Sequence, residues 1–86
     1  MPNAPLSILL VEADAVTEKL YERELSRHYR VLTCHDEDEA LRLVCDEDIR
    51  AVVMEPALSD GAGWRLMEDV RTIRPEPPLP FVFYSA

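Results

Sequence analysis

Three short runs of uninterrupted apolar residues constrain this chain more than any other feature: Ile8-Leu9-Leu10-Val11, Ala51-Val52-Val53-Met54 and Phe81-Val82-Phe83-Tyr84. A strand with one wetted face alternates apolar with polar residues. A run without alternation is covered on both faces, as in a parallel sheet flanked by helices. Ser7 opens the first run, and Arg30-Val31-Leu32-Thr33-Cys34 reads as a further strand. That strand is less uniformly apolar and is expected nearer an edge.

Amphipathic stretches separate the runs. Asp14 is placed to cap a helix over residues 15–28, with Val16, Leu20 and Leu25 inward and Glu18, Glu22 and Arg23 outward. Asp36 or a neighbour starts a second helix over 37–45, with Ala40, Leu41, Val44 and Cys45 inward. Pro56 to Gly63 reads as a loop. A third helix begins at Gly63 or Trp64 and runs to Ile73, its inner face formed by Trp64, Met67, Val70 and Ile73 and widened by Leu66. Pro75, Pro77, Pro78 and Pro80 bar further helix and lead into the last strand. The order β-α-β-α-β-α-β predicts an α/β fold with a parallel sheet and right-handed crossovers. No internal repeat or linker divides residues 1–86, so one domain is expected.

The net charge of −8 over 86 residues repels polyanions, which argues against direct nucleic-acid binding or an anionic membrane surface. The acidic runs Asp36-Glu37-Asp38-Glu39 and Asp46-Glu47-Asp48 read as solvated turns and helix starts. Cys34 and Cys45 fit neither a zinc pattern nor a disulfide framework and are expected as buried free thiols. No run approaches the roughly 20 apolar residues of a membrane span. With no signal-peptide layout either, the expected location is the cytoplasm.

In an open parallel sheet, ligands bind beyond the carboxyl ends of the strands. Glu12, Ala13 and Asp14 follow the first strand, Glu55 follows the third, and Ser85 with Ala86 follows the fourth. Carboxylates and a hydroxyl converging there suit a hard divalent cation and phosphoryl chemistry. The same residue types also serve as plain caps and turns at strand ends.

The segments ILLVEADA, AVVMEPALSDGAGW and FVFYSA stand in the order and at the spacing of three signatures of the response-regulator receiver domain. DEDEALRLV is similar to that family's second helix. Over residues 6–86 the chain resembles a receiver. The resemblance implies a CheY-like, flavodoxin-like three-layer sandwich with a four-stranded sheet in the order 2-1-3-4 and three helices, ending before the family's fifth strand. Glu12 and Ala13 fall on the acidic pair, Glu55 on the phospho-acceptor Asp, Pro56 and Ala57 in the loop after it, Gly63 on the loop glycine, and Ser85 on the hydroxyl that contacts the phosphoryl group.

Three departures stand out. Ala13 brings no oxygen, Glu55 is one methylene too long for in-line transfer, and the family's Lys lies beyond Ala86. Mg²⁺ demands near-octahedral oxygen geometry. No metal or cofactor is therefore expected, Glu12, Asp14 and Glu55 being the candidate donors should residual Mg²⁺ binding persist. Glu55 could imitate a phosphoryl group only in part, since it carries a smaller charge.

The leading expectation is a non-enzymatic pseudo-receiver that binds a protein partner or output domain. Its expected contact surface is the fourth-strand edge at Phe81, Phe83 and Tyr84, where a homodimer could also form. Without a second helix beside the first, the sheet face of strands three and four is expected bare, a liability that proteins cover. The stop directly after a buried-type strand reads as truncation of a longer chain. The alternatives are a working Mg²⁺-dependent phospho-acceptor and, more remotely, a haloacid-dehalogenase-like phosphatase. The latter rests on Glu12-Ala13-Asp14-Ala15-Val16, which approximates that family's motif with a nucleophile of the wrong length.

Overall fold

The computed structural model describes residues 5–54 and 62–84. Seven elements follow one another: β1 (Ser7–Val11), α1 (Ala15–Leu25), β2 (Arg30–Cys34), α2 (Glu37–Asp46), β3 (Ala51–Met54), α3 (Ala62–Ile73) and β4 (Phe81–Phe83). The strands form one parallel sheet in the order β2-β1-β3-β4. The uneven β2 run thus lies at an edge, as its composition suggested.

Side-chain parity divides the sheet into two faces. Leu9, Val11, Val52, Met54 and Cys34 join Ala40 and Val44 of α2 and Leu66 and Val70 of α3 in one buried core, with Phe81 and Phe83 packed against it. Ile8, Leu10, Val53 and Val82 have the opposite parity and face the α1 side. Here α1 lies over β1 and β2. Beyond it a groove of about 410 Å³ runs between Leu25, Tyr29, Ile8, Val53 and Val82. The β3–β4 part of this face is open among the described residues, as expected for a sheet carrying one helix on that side.

Both N-caps form as their sequences suggest. Asp14 accepts from the Thr17 N–H at 2.8 Å and from its hydroxyl at 2.7 Å. Asp36 accepts from the Glu39 N–H at 2.9 Å, and Glu39 reaches back to the His35 N–H at 3.1 Å.

Several helix faces differ from expectation. α1 ends at Leu25, where the N–H groups of Arg27 and His28 bond carbonyls three residues back and tighten the chain into a turn. Its inward stripe is Glu18, Tyr21 and Leu25, whereas Val16 and Leu20 are exposed and Glu18 is buried. In α2, Cys45 is exposed rather than buried, one position past the Ala40–Val44 stripe. In α3, Leu66 and Val70 are buried four residues apart, and Trp64 and Ile73 are exposed. Residues three apart drift by about 60° per step on a helix of 3.6 residues per turn, so the ends of a Trp64–Ile73 series rotate out of the core.

Candidate functional site at the strand ends

The carboxyl ends of β1 and β4 carry a polar cluster built on the α1 side of the sheet. Glu12 continues the β1 ladder, its N–H bonding the Cys34 carbonyl at 3.0 Å, and is 6% exposed. Tyr84 continues β4, its N–H bonding the Met54 carbonyl at 3.0 Å. Parity turns Tyr84 away from Phe81 and Phe83 and toward α1, where its ring packs on Tyr21 with centroids 4.4 Å apart. Its hydroxyl donates to Glu12 Oε1. The other carboxylate oxygen, Oε2, accepts from the Asp14 N–H at 3.0 Å.

This bond spans a considerable distance. Because β3 lies between β1 and β4, two strand spacings of about 4.8 Å each separate the backbones of Glu12 and Tyr84. Glutamate and tyrosine together are long enough to meet across the end of β3. The expected role of Tyr84 as part of an open edge is therefore corrected: it is half-buried over the strand ends. Phe81 and Phe83 are likewise half-buried against the core, with Phe83 on Trp64 at a centroid distance of 4.6 Å. Val82, 53% exposed, is the apolar residue that β4 offers to solvent.

Of the remaining residues singled out in the sequence, Ala13 is exposed. Asp14 is exposed too, and the Thr17 hydroxyl and N–H hold its carboxyl below the usual Asp value of 3.8. Gly63 lies within the first turn of α3, which begins one residue before the expected start. Glu55, Pro56, Ala57 and Ser85 lie outside the described residues.

A second polar group flanks the site. Glu18 Oε2 is buried within α1's inner stripe, and His35 Nε2 stands 2.9 Å from it, joining α1 to the end of β2. Burial pushes the adjacent Cys34 thiol up to about 12, with the negative charges of Glu39, Asp36 and Glu18 adding to the effect. Sequence pattern alone does not bring Tyr21, Tyr84, Glu18 or His35 into this region. For Tyr84 a signal was available, since a tyrosine at the end of an apolar strand brings a hydroxyl that needs a partner.

The Mg²⁺ that the receiver resemblance implies does not fit these residues. Both Glu12 oxygens are engaged by donors, Asp14 Oδ2 is committed to capping α1, and Ala13 offers only a methyl group. Among the described residues, no three His, Cys, Asp or Glu side chains converge as metal ligands.

A doubly wound parallel α/β fold with its polar groups at the strand ends is the class of protein these features define. No protein-family model matches the sequence, and no curated protein does. Solved structures do. The chain is similar to the non-phosphorylated receiver domain of HemR from Leptospira biflexa, with 35% identity and a TM-score of 0.72 over 91% of this chain and 62% of that one. It is also similar to the signal receiver domain of an HD domain-containing protein from Pseudomonas fluorescens Pf-5, with 22% identity and a TM-score of 0.75 over 87% of this chain and 56% of that one. The chain thus spans less than two thirds of either structure. It has the response-regulator receiver fold, CheY-like and flavodoxin-like, with sheet order 2-1-3-4.

Proposed function

We propose that this protein is a pseudo-receiver: a signalling module that acts by contact with another protein and does not accept a phosphoryl group. The observation carrying this reading is the state of Glu12, a buried carboxylate with a donor on each oxygen, beside an alanine where a cation site needs a second carboxylate. Glu55 in place of the acceptor Asp supports it from sequence, because a longer carboxylate misplaces the attacking oxygen. Neither a metal nor a cofactor takes part in this account.

A protein partner or an output domain is the natural recipient. The receiver from Pseudomonas fluorescens is part of an HD domain-containing protein. The surface assigned to contact is the α1 side of the sheet, where Val82, Leu6 and Tyr29 are exposed beside half-buried Leu25 and Val53. Pairing of two copies along the β4 edge belongs to the same proposal. Contiguous apolar surface of this kind marks interaction sites. No helix among the described residues is long and apolar enough to cross a membrane. The likeness to receiver domains supports the cytoplasm as the assigned location.

Incubation with radiolabelled acetyl phosphate and Mg²⁺ tests the proposal. No acid-stable, base-labile label is expected on the protein. Stoichiometric label that disappears in Glu55→Gln would establish a working phospho-acceptor and overturn the reading.

A further inference from the structure

We infer that Tyr84 opposes cation binding at the strand ends: its hydroxyl competes for a Glu12 oxygen that a divalent cation would use, independently of Ala13. The inference rests on the pseudo-receiver reading and deepens it by assigning the exclusion of cations to a particular side chain.

Three observations carry it. First, the Tyr84 hydroxyl reaches Glu12 from β4 although β3 stands between their strands. Second, the ring is held from behind by Tyr21, which orients the hydroxyl from α1. Third, the opposite oxygen of Glu12 is already bonded to the Asp14 N–H. Each donor takes one of the lone pairs through which a Glu12 oxygen could meet an ion of strict octahedral preference. A cation approaching Oε1 competes with the Tyr84 hydroxyl for that oxygen. Tyr84 thus positions Glu12 and blocks a ligand; it performs no chemistry itself.

The prediction separates Tyr84 from Ala13. Ala13 is exposed, so an aspartate can stand there without displacing the core. Phenylalanine at residue 84 keeps the ring on Tyr21 and removes only the hydroxyl. Binding of Mn²⁺, followed by loss of the free-ion electron paramagnetic resonance signal, is compared for Ala13→Asp and for Ala13→Asp/Tyr84→Phe, each first confirmed as folded by its thermal transition. The double variant is expected to bind about tenfold more tightly, a factor equivalent to about 1.4 kcal/mol, the scale of the hydrogen bond with which the cation no longer competes. Adding Glu12→Gln to the double variant is expected to abolish the gain. Should Tyr84→Phe loosen the fold in this background, the titration is run at a temperature below its thermal transition, with the same expectation.

Equal affinities with and without the hydroxyl, or no Mn²⁺ uptake by the double variant, overturn the role of Tyr84. Uptake that survives Glu12→Gln places the ion elsewhere and does the same. These failures are distinct from failure of the pseudo-receiver reading, which is decided on the unaltered protein by its phosphorylation.

Discussion

Replacing Tyr84 by Phe removes one hydroxyl from a bond that crosses two strand spacings, and its cost in stability follows from the surroundings of that bond. Glu12 is nearly buried and carries the acceptor, so the bond is of the charge-assisted kind, which contributes about 1.5–3 kcal/mol. Tyr84 is only half-buried, and water can partly replace it, which favours the lower part of that range, about 1.5–2 kcal/mol. The ring contact with Tyr21 survives the change, so little packing is lost with the hydroxyl. For a domain of this size each kcal/mol shifts the melting temperature by about 4–8 °C, giving a fall of roughly 6–16 °C. Urea unfolding followed by Trp64 fluorescence measures it, with an unchanged slope expected because the same surface is exposed. A cycle with Glu12→Gln isolates the pair, since residues in direct contact couple and distant ones do not. A Tyr84→Phe variant within about 0.5 kcal/mol of the parent would refute the reasoning, that being the range of featureless surface changes.

Three further expectations follow from other parts of the molecule. Asp14 is held below 3.8 by Thr17. Its contribution is therefore complete above its unfolded-state pKa and is lost as pH falls through the lower folded-state value; Asp14→Asn should flatten the acid limb of a stability-against-pH curve, and an unchanged limb would contradict the cap. With its pKa near 12 and no exposure, Cys34 should resist iodoacetamide in the native protein while exposed Cys45 is alkylated, both reacting in denaturant; native labelling of both, read by intact mass, would contradict the buried site. Leu66→Ala deletes a fully buried side chain between α3 and the sheet and should cost about 2–5 kcal/mol in urea unfolding, whereas Trp64→Ala on the exposed flank should cost less.

The strands were legible in the sequence because burial on both faces leaves nothing polar in their runs. Their order was legible only through the receiver resemblance. The helix faces were harder to read. Hydrophobicity alone points Val16 and Leu20 inward, but one helix on its side of the sheet buries only what it rests on, and α1 rests on Glu18, Tyr21 and Leu25. Glu18 is legible as an inner residue only once His35 is placed beside it by the β2–α2 connection. Glu12, Ala13 and Asp14 stood out because they follow a strand. Taking the apolar run as one surface puts Tyr84 on the edge. Counting parity from Phe81 puts it on the face opposite Phe81 and Phe83, and the length of its side chain does the rest.

The most direct measurement of the central claim is a ¹H–¹⁵N spectrum of the unaltered protein titrated with Mg²⁺ and beryllofluoride, a stand-in for the acceptor's phosphoryl group. With Glu12 bonded through both oxygens and Ala13 beside it, the amides of Glu12, Ala13, Asp14 and Tyr84 should keep their positions throughout. A saturable, stoichiometric displacement of those resonances would show that the strand ends still assemble a phosphoryl site.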